Sequence, residues 1–304
     1  MATDITKGRT FASEDGPYQL PNDAVEHERL DAQYRAFAEV MGGKVFHAPF
    51  APPSGSFPSQ PRKILDIGCG TGIFTAQLAR LFPSAEVIGV DLSPVPAGRH
   101  GDVPNARFLL GSVADLLGRG ELEAGTFDYV FQRLTILGIV GWEAHLRDVV
   151  APLLAPGGFV EVQEYDSMPR AGDRGCAGEA HGTELGDRWE WFCAWIEDTR
   201  DIGLDLKVGG RMAELLAGAG IGVVARDVYD IPNAGPPSLR GSEDGYWNTV
   251  VDTYWGVVER TSGPRRSPEA LGAMRKNYDE TFAANIENLI VRLHVVIGRK
   301  PATA

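Results

Sequence analysis

Cysteine, basic charge and long apolar runs are all scarce in this chain. Three cysteines, Cys69, Cys176 and Cys193, supply neither a disulfide framework nor a paired metal motif, so no metal is expected and a reducing compartment is the default. Lys and Arg number 29 against 41 Asp and Glu, a formal charge of −12. That balance argues against general binding to nucleic acid, which depends on clustered cations displacing counterions. Arg265-Arg266 is too short to change it. No run of about eighteen apolar residues occurs and no charged-then-apolar leader opens the chain, so a soluble cytoplasmic protein without membrane contact is expected. There is no internal repeat. What is present is enough apolar material, 43% of 304 residues, to fill a sizeable core; disorder throughout is excluded.

The most informative stretch is Lys63-Ile64-Leu65-Asp66-Ile67-Gly68-Cys69-Gly70-Thr71-Gly72. Ile64, Leu65 and Ile67 suit a buried strand, and the glycines permit a tight turn in which Cys69 needs only to be small. Ile73, Phe74, Leu78, Leu81 and Phe82 then recur at helical spacing, so free N–H groups of a helix start face the turn. The spacing is Gly-x-Gly-x-Gly, and Ile73 and Phe74 stand where a dinucleotide fingerprint needs a small residue for close packing. No Gly-Lys-Ser/Thr follows, which removes a triphosphate loop. A second strand, Glu86 to Asp91, ends in a carboxylate about twenty residues on, where it can accept both ribose hydroxyls. Asp66 adds negative charge that suits the ammonium or sulfonium of S-adenosylmethionine and repels a pyrophosphate. A tight connection without a ligand is the bland alternative, and the placement of Asp91 weighs against it.

Around this stretch the pattern alternates strand and helix from 62 to 166. Strands are expected near 63–67, 86–91, 106–110, 127–132 and 158–165, and helices near 72–82, 113–118 and 143–154, the last ended by Pro156-Gly157-Gly158. Gly68 to Gly72, Asp91 with Leu92, Ser112-Val113 and Gln132-Arg133-Leu134 should meet at the carboxyl ends of the strands, where, with Tyr34 from the preceding helix, they are the candidate cofactor contacts. Residues 1–16 are polar and expected to be mobile. Residues 17–61 read as a helical flap and linker: Asp23 and Glu26 have capping-box spacing, Leu30, Tyr34, Phe37, Ala38 and Met41 form one stripe, and Pro49 to Pro61 is linker-like. The flap can cover a cofactor mouth or merely a sheet edge. Residues 62–304 make the core, with lid insertions at 167–206 and 232–286. In the first, 167–188 reads as a long loop and Trp189, Phe192, Cys193, Ile196 and Trp191, Trp195, Ile202 form two apolar stripes. In the second, Ser267-Pro268 starts a helix.

These residues resemble a known family. Ile64 to Gly72 with Asp91 resembles the class I S-adenosylmethionine-dependent methyltransferases. Tyr18-x-Leu20-Pro21-Asn22-Asp23, Glu28-Arg29-Leu30-Asp31-x-Gln33, Gly43-Lys44 and Ala48-Pro49 are similar to the fungal methyltransferase family of the secondary-metabolism regulator LaeA, as are Leu154-x-Pro156-Gly157-Gly158-x-Val160-Glu161-x-Gln163-Glu164 and Gly298-Arg299-Lys300-Pro301. The resemblance implies an α/β fold: a doubly wound, Rossmann-like seven-stranded sheet with its last strand antiparallel. It also implies S-adenosyl-L-methionine as cofactor, held by Gly68, Cys69, Gly70 and Gly72 under the methionine moiety and by Asp91 on the ribose. Asp66 carries over too, and Arg133 matches a recurrent family arginine. The adenine contact stays open between Ser112 and Asp115.

Methyl transfer is an in-line displacement at an activated sulfonium, so the protein mainly supplies alignment. Tyr34, His145, Glu164 and His181 are the candidate bases. His145 shares a helical stripe with Trp142 and Val149, which also suits a packed core histidine. Trp189, Trp195, Tyr246, Trp247 and Trp255 fall outside the alternation and either pack helices together or enclose a substrate. The expected partner is a small molecule, a bulky, partly aromatic natural product or intermediate methylated on O or N, with a homodimer left open. The alternatives are a fold repurposed for cyclisation, pericyclic or isomerisation chemistry, and a LaeA-like regulator.

Overall fold

The computed structural model describes residues 23–50, 60–173, 176, 178–236 and 246–302, the side chains of 246–249 excepted. The expected mobile terminus and the centre of the linker lie outside these residues. Strand β1 (Lys63–Ile67) occupies the middle of the sheet because its alternate residues are apolar on both faces. Ile64 packs with Phe74 and Leu78 on one face, while Leu65 and Ile67 join Val113 and Leu116 on the other. With β2 (Glu86–Asp91), β3 (Ala106–Leu110), β4 (Phe127–Arg133), β5 (Leu154–Ala171), β6 (Gly222–Pro232) and β7 (Leu289–Arg299), the order is β3-β2-β1-β4-β5-β7-β6. The strand order reverses between β1 and β4, and β7 runs antiparallel to both its neighbours. This is the seven-stranded sheet expected from the sequence.

Helix α1 (Ala24–Val40) begins at Asp23, whose carboxylate accepts the Glu26 N–H at 3.0 Å. It ends before Gly42 and Gly43, at φ +65° and +85°. The chain is then pinned to the sheet: the N–H groups of His47 and Ala48 donate to Glu161 Oε2 at 2.7 and 2.8 Å, where Tyr129 O–H also donates. Helix α2 (Ile73–Leu81) follows β1 and α3 (Val113–Gly118) follows β3. Helix α4 covers 142–153, and its middle, His145–Val150, is π-helical.

Two expectations need correction. Strand pairing starts at Leu154 opposite Phe127, so Pro156-Gly157-Gly158 forms an irregularity inside β5, before Phe159 pairs Tyr129. Residues 167–171 belong to β5 and not to a loop, because Arg170 pairs Ile290 while its buried guanidinium reaches Glu184 at 2.8 Å. Sequence periodicity misses this, since the strand carries a cation whose partner lies fourteen residues on.

The insertions form a helical layer: α5 (Glu190–Asp201), α7 (Tyr246–Ser262) and α8 (Pro268–Thr281), with α6 (Val208–Gly218) returning to the sheet. Ser267 caps α8 through the Ala270 N–H, as its sequence predicts. Trp191 is fully buried among Tyr254, Tyr278 and Phe282. Among the described residues no helix is long and apolar enough to cross a membrane.

Candidate active site

The turn after β1 is shaped by backbone angles that only glycine adopts freely. Gly68 lies at φ +71°, and a Cβ there would meet Thr135 Cγ2 at 2.6 Å; Gly72 lies at φ +80°, where a Cβ would meet the Phe108 ring at 2.8 Å. Asp91 ties this turn to β2. Its Oδ2 accepts the Gly70 N–H and its Oδ1 the Ser93 N–H, both at 2.8 Å. Burial raises its carboxyl above the ordinary range, opposed by these N–H donors. Asp66 accepts the Thr75 hydroxyl at 2.6 Å, and burial pushes it up to about 7 despite that bond and the nearby Arg133.

A cavity of about 450 Å³ opens above these groups. Asp66, Gly68, Cys69, Gly70, Asp91, Leu92, Ser112, Val113 and Arg133 all stand on its wall, as does Tyr34 from α1. Gly72 does not; it closes the turn and starts α2. Ser112 reaches the cavity while also capping α3 through the Asp115 N–H, and Asp115 itself is not part of the cavity wall. Arg133 is half-buried, with its guanidinium 5.2 Å from the Tyr34 ring, 5.0 Å from Phe74 and 5.1 Å from Phe131. Among the described residues its Nη1 finds no hydrogen-bond partner, and nor does Tyr34 Oη. Burial lowers the guanidinium's proton affinity and pushes the Tyr34 phenol up to about 12.

The other walls come from residues remote in sequence: Trp195, Leu206, Ile231, Val250, Tyr254 and Val257, with Ser167, Asn233 and Thr253 as polar members. Asn233 is buried, and its Nδ2 finds no partner among the described residues. Nothing in the sequence around Pro232 signalled it, since it reaches the cavity only through the pairing of β6 with β7.

Several candidate side chains fall elsewhere. His181 lies between Asp173 and Asp230 at 3.0 and 2.8 Å, away from the cavity. Glu164 is sealed beneath it, accepting the Thr135 N–H and O–H at 2.7 and 2.8 Å, and burial raises it to about 8. Trp189 stacks on Trp191, and Trp255 packs on Tyr278 under Arg275, so both build the helical layer and not the cavity wall. Tyr246 and Trp247 are on α7, and their side chains lie outside the described residues.

His145 does line the cavity. Gln132, which does not, links it to the buried acid. Thr135 O–H donates to Glu164 Oε1 at 2.8 Å, Gln132 Nε2 donates to Thr135 Oγ1 at 2.5 Å, and Gln132 Oε1 is left to accept from His145 Nε2 at 2.9 Å. That polarity leaves Nδ1 as the imidazole's lone-pair nitrogen. Burial depresses the ring to about 4, so it is neutral at physiological pH.

The sheet order, the glycine turn and the carboxylate at the end of β2 together are the architecture of the Rossmann-like class I methyltransferase fold. Residues 64–158 match the methyltransferase domain family. The chain is 32% identical over 150 residues to "Methyltransferase str2" of Strobilurus tenacellus, covering 49% of this chain and 50% of that one. It is 34% identical over 194 residues to "Secondary metabolism regulator laeA" of Aspergillus niger, covering 63% and 47% respectively. To "Protein-methionine methyltransferase laeA" of Emericella nidulans the identity is 32% over 175 residues, with 57% and 43% covered. The chain is thus similar to LaeA-like methyltransferases, and spans about half the length of the curated relatives it matches. Among solved structures, Haemonchus contortus phosphoethanolamine N-methyltransferase 2 aligns at TM-score 0.45 and 18% identity, over 89% of this chain and 57% of that one.

Proposed function

We propose that this protein transfers the methyl group of S-adenosylmethionine to an oxygen or nitrogen of a bulky, partly aromatic natural product or biosynthetic intermediate. The observation that carries the proposal is the single cavity that joins the glycine turn to an apolar, partly aromatic wall. The charged groups suit the cofactor. The orphaned Arg133 Nη1 matches a carboxylate, Asp66 offers a carboxyl oxygen to the ammonium, and Asp91 offers acceptors to the ribose hydroxyls. Leu92, Ser112 and Val113 would border the adenine. When bound, the cofactor supplies an activated methyl and a neutral leaving group.

The chain's own part is alignment and proton removal. The rings of Tyr34, Phe74 and Phe131 pack around the Arg133 guanidinium, and Trp195 turns its N–H away to Thr261 at 2.9 Å, which leaves its apolar ring surface for substrate. Asn233 would fix a polar group of an otherwise apolar molecule, since an amide left unpaired in such a wall costs about 1–3 kcal/mol. Neutral His145 would accept the proton of the methylated hydroxyl or amine at Nδ1.

The test has two stages. Calorimetry with S-adenosylhomocysteine should give saturable binding, weakened by about 1–3 kcal/mol in Asp91→Ala through loss of charged hydrogen bonds. Incubation with methyl-labelled cofactor and a metabolite panel should then yield a labelled small molecule. Binding with no methylated product would count against the transfer. A product of unchanged mass would favour the repurposed chemistry, and a stable heteromeric complex without turnover would favour a regulator.

A further inference from the structure

Helix α1 contributes Leu30, Gln33, Tyr34 and Phe37 to the cavity wall, so it covers the space in which the cofactor would sit. One side chain on it does something different. Asp31, 6% exposed, accepts the Thr71 hydroxyl at 2.6 Å through Oδ1 and the Arg99 Nε–H at 2.9 Å through Oδ2. Thr71 is part of the glycine turn itself, one residue beyond the Gly70 N–H that Asp91 holds. Arg99, in the segment after β2, also donates to Glu28 Oε1 at 2.8 Å. One buried carboxylate therefore joins the three segments that border the cofactor space: the covering helix, the turn beneath it and the stretch that follows the ribose-binding position.

The two ends of the flap differ. Beyond α1 the chain is clamped by Glu161 at His47 and Ala48. Between clamp and helix lie Gly42 and Gly43, with left-handed φ and no atom within 4 Å of where a Cβ would stand. Those glycines serve no close packing, and two unhindered glycines in sequence are where a backbone rotates most easily.

We propose that Asp31 is a positioning residue that latches α1 over the cofactor, gripping the turn through Thr71, and that cofactor exchange requires α1 to swing about Gly42-Gly43 with the Asp31–Thr71 bond broken. The inference rests on the proposed cofactor reading. A bond between a buried carboxylate and a hydroxyl is strong where water is excluded, so its loss should act mainly on the rate of release.

The test compares wild type with Thr71→Val, Thr71→Ser and Asp31→Asn. Radiolabelled S-adenosylmethionine is bound and chased with excess unlabelled S-adenosylhomocysteine. Thr71→Val and Asp31→Asn should release label about tenfold faster, as expected for a hydrogen bond to a charged group, and Thr71→Ser, which keeps the hydroxyl, at the wild-type rate. Hydrogen exchange adds a readout that general destabilisation would not reproduce. S-adenosylhomocysteine should slow exchange across 24–40 in wild type and Thr71→Ser but not in Thr71→Val, with β1 and β4 equally protected in all. Equal release rates and equal protection of 24–40 in every variant would overturn the latch while leaving cofactor binding intact. Absence of binding by wild type would instead remove the cofactor reading beneath it.

Discussion

Asp66 and Glu164 are carboxyls that the fold has taken out of water, and each answers with a raised proton affinity, to about 7 and about 8. Both ordinary values lie near 4, so across the interval between, the folded chain holds protons that the unfolded chain has released. Stability from these groups is therefore complete below about pH 4 and is lost as pH rises through about 7 to 8. In denaturant titrations, the stability of wild type minus that of Asp66→Asn should fall between pH 5 and pH 8; a flat or rising difference would contradict the protonated, buried Asp66. Asp66 was legible as a candidate cofactor contact because it sits two residues before the glycine turn. That it would be protonated was not, since desolvation depends on what packs around it. The same distinction separates His145 from His181: sequence offered both as bases, but only the first is carried to the cavity, by a helix whose π-helical middle begins at that residue. Gln132 was read as a cofactor contact and is instead the link that orients His145.

Among elements, the aromatic layer shows how a cavity wall is separated from its scaffold. Trp191 has no exposed surface and anchors its indole N–H to Thr281 at 2.9 Å. Trp195, four residues on, uses Thr261 in the same way yet presents its ring to the cavity. Trp191→Ala should cost about 3–5 kcal/mol, the range for emptying a large aromatic site. Its check is a lowered melting temperature, with fraying concentrated in α5, α7 and α8 by hydrogen exchange. A loss below about 1 kcal/mol would mean that the layer repacks and is not the scaffold described. Helical spacing alone could place both tryptophans on one apolar stripe. It could not say which of the two faces protein and which faces open volume, because the neighbours come from residues 254–282.

At the scale of the molecule, the cavity is bounded by α1, the carboxyl ends of the parallel strands, the end of β6 and α7. A ligand filling it touches elements from both ends of the chain and should stabilise them as one unit. S-adenosylhomocysteine at a hundred times its dissociation constant should add about 2.7 kcal/mol to the unfolding free energy. Thermal denaturation should accordingly show one transition moving upward with ligand; two transitions, with only one responding, would indicate that the helical layer unfolds separately from the sheet.

Local order was written in the chain itself. Each strand of the alternating half, the glycine turn, the caps at Asp23 and Ser267 and the carboxylate of Asp91 depend on residues within a few positions of one another, so periodicity and turn chemistry suffice to read them. Tertiary structure alone decided what the cavity is made of. Asn233, Leu206 and Val257 meet Arg133 and His145 only after the sheet closes through β7, and Asp31 finds Thr71 and Arg99 across 40 and 68 positions. Contacts of that range leave no mark on local hydrophobic pattern, because they follow from how separate faces fill a common volume and not from the order of residues along any one of them.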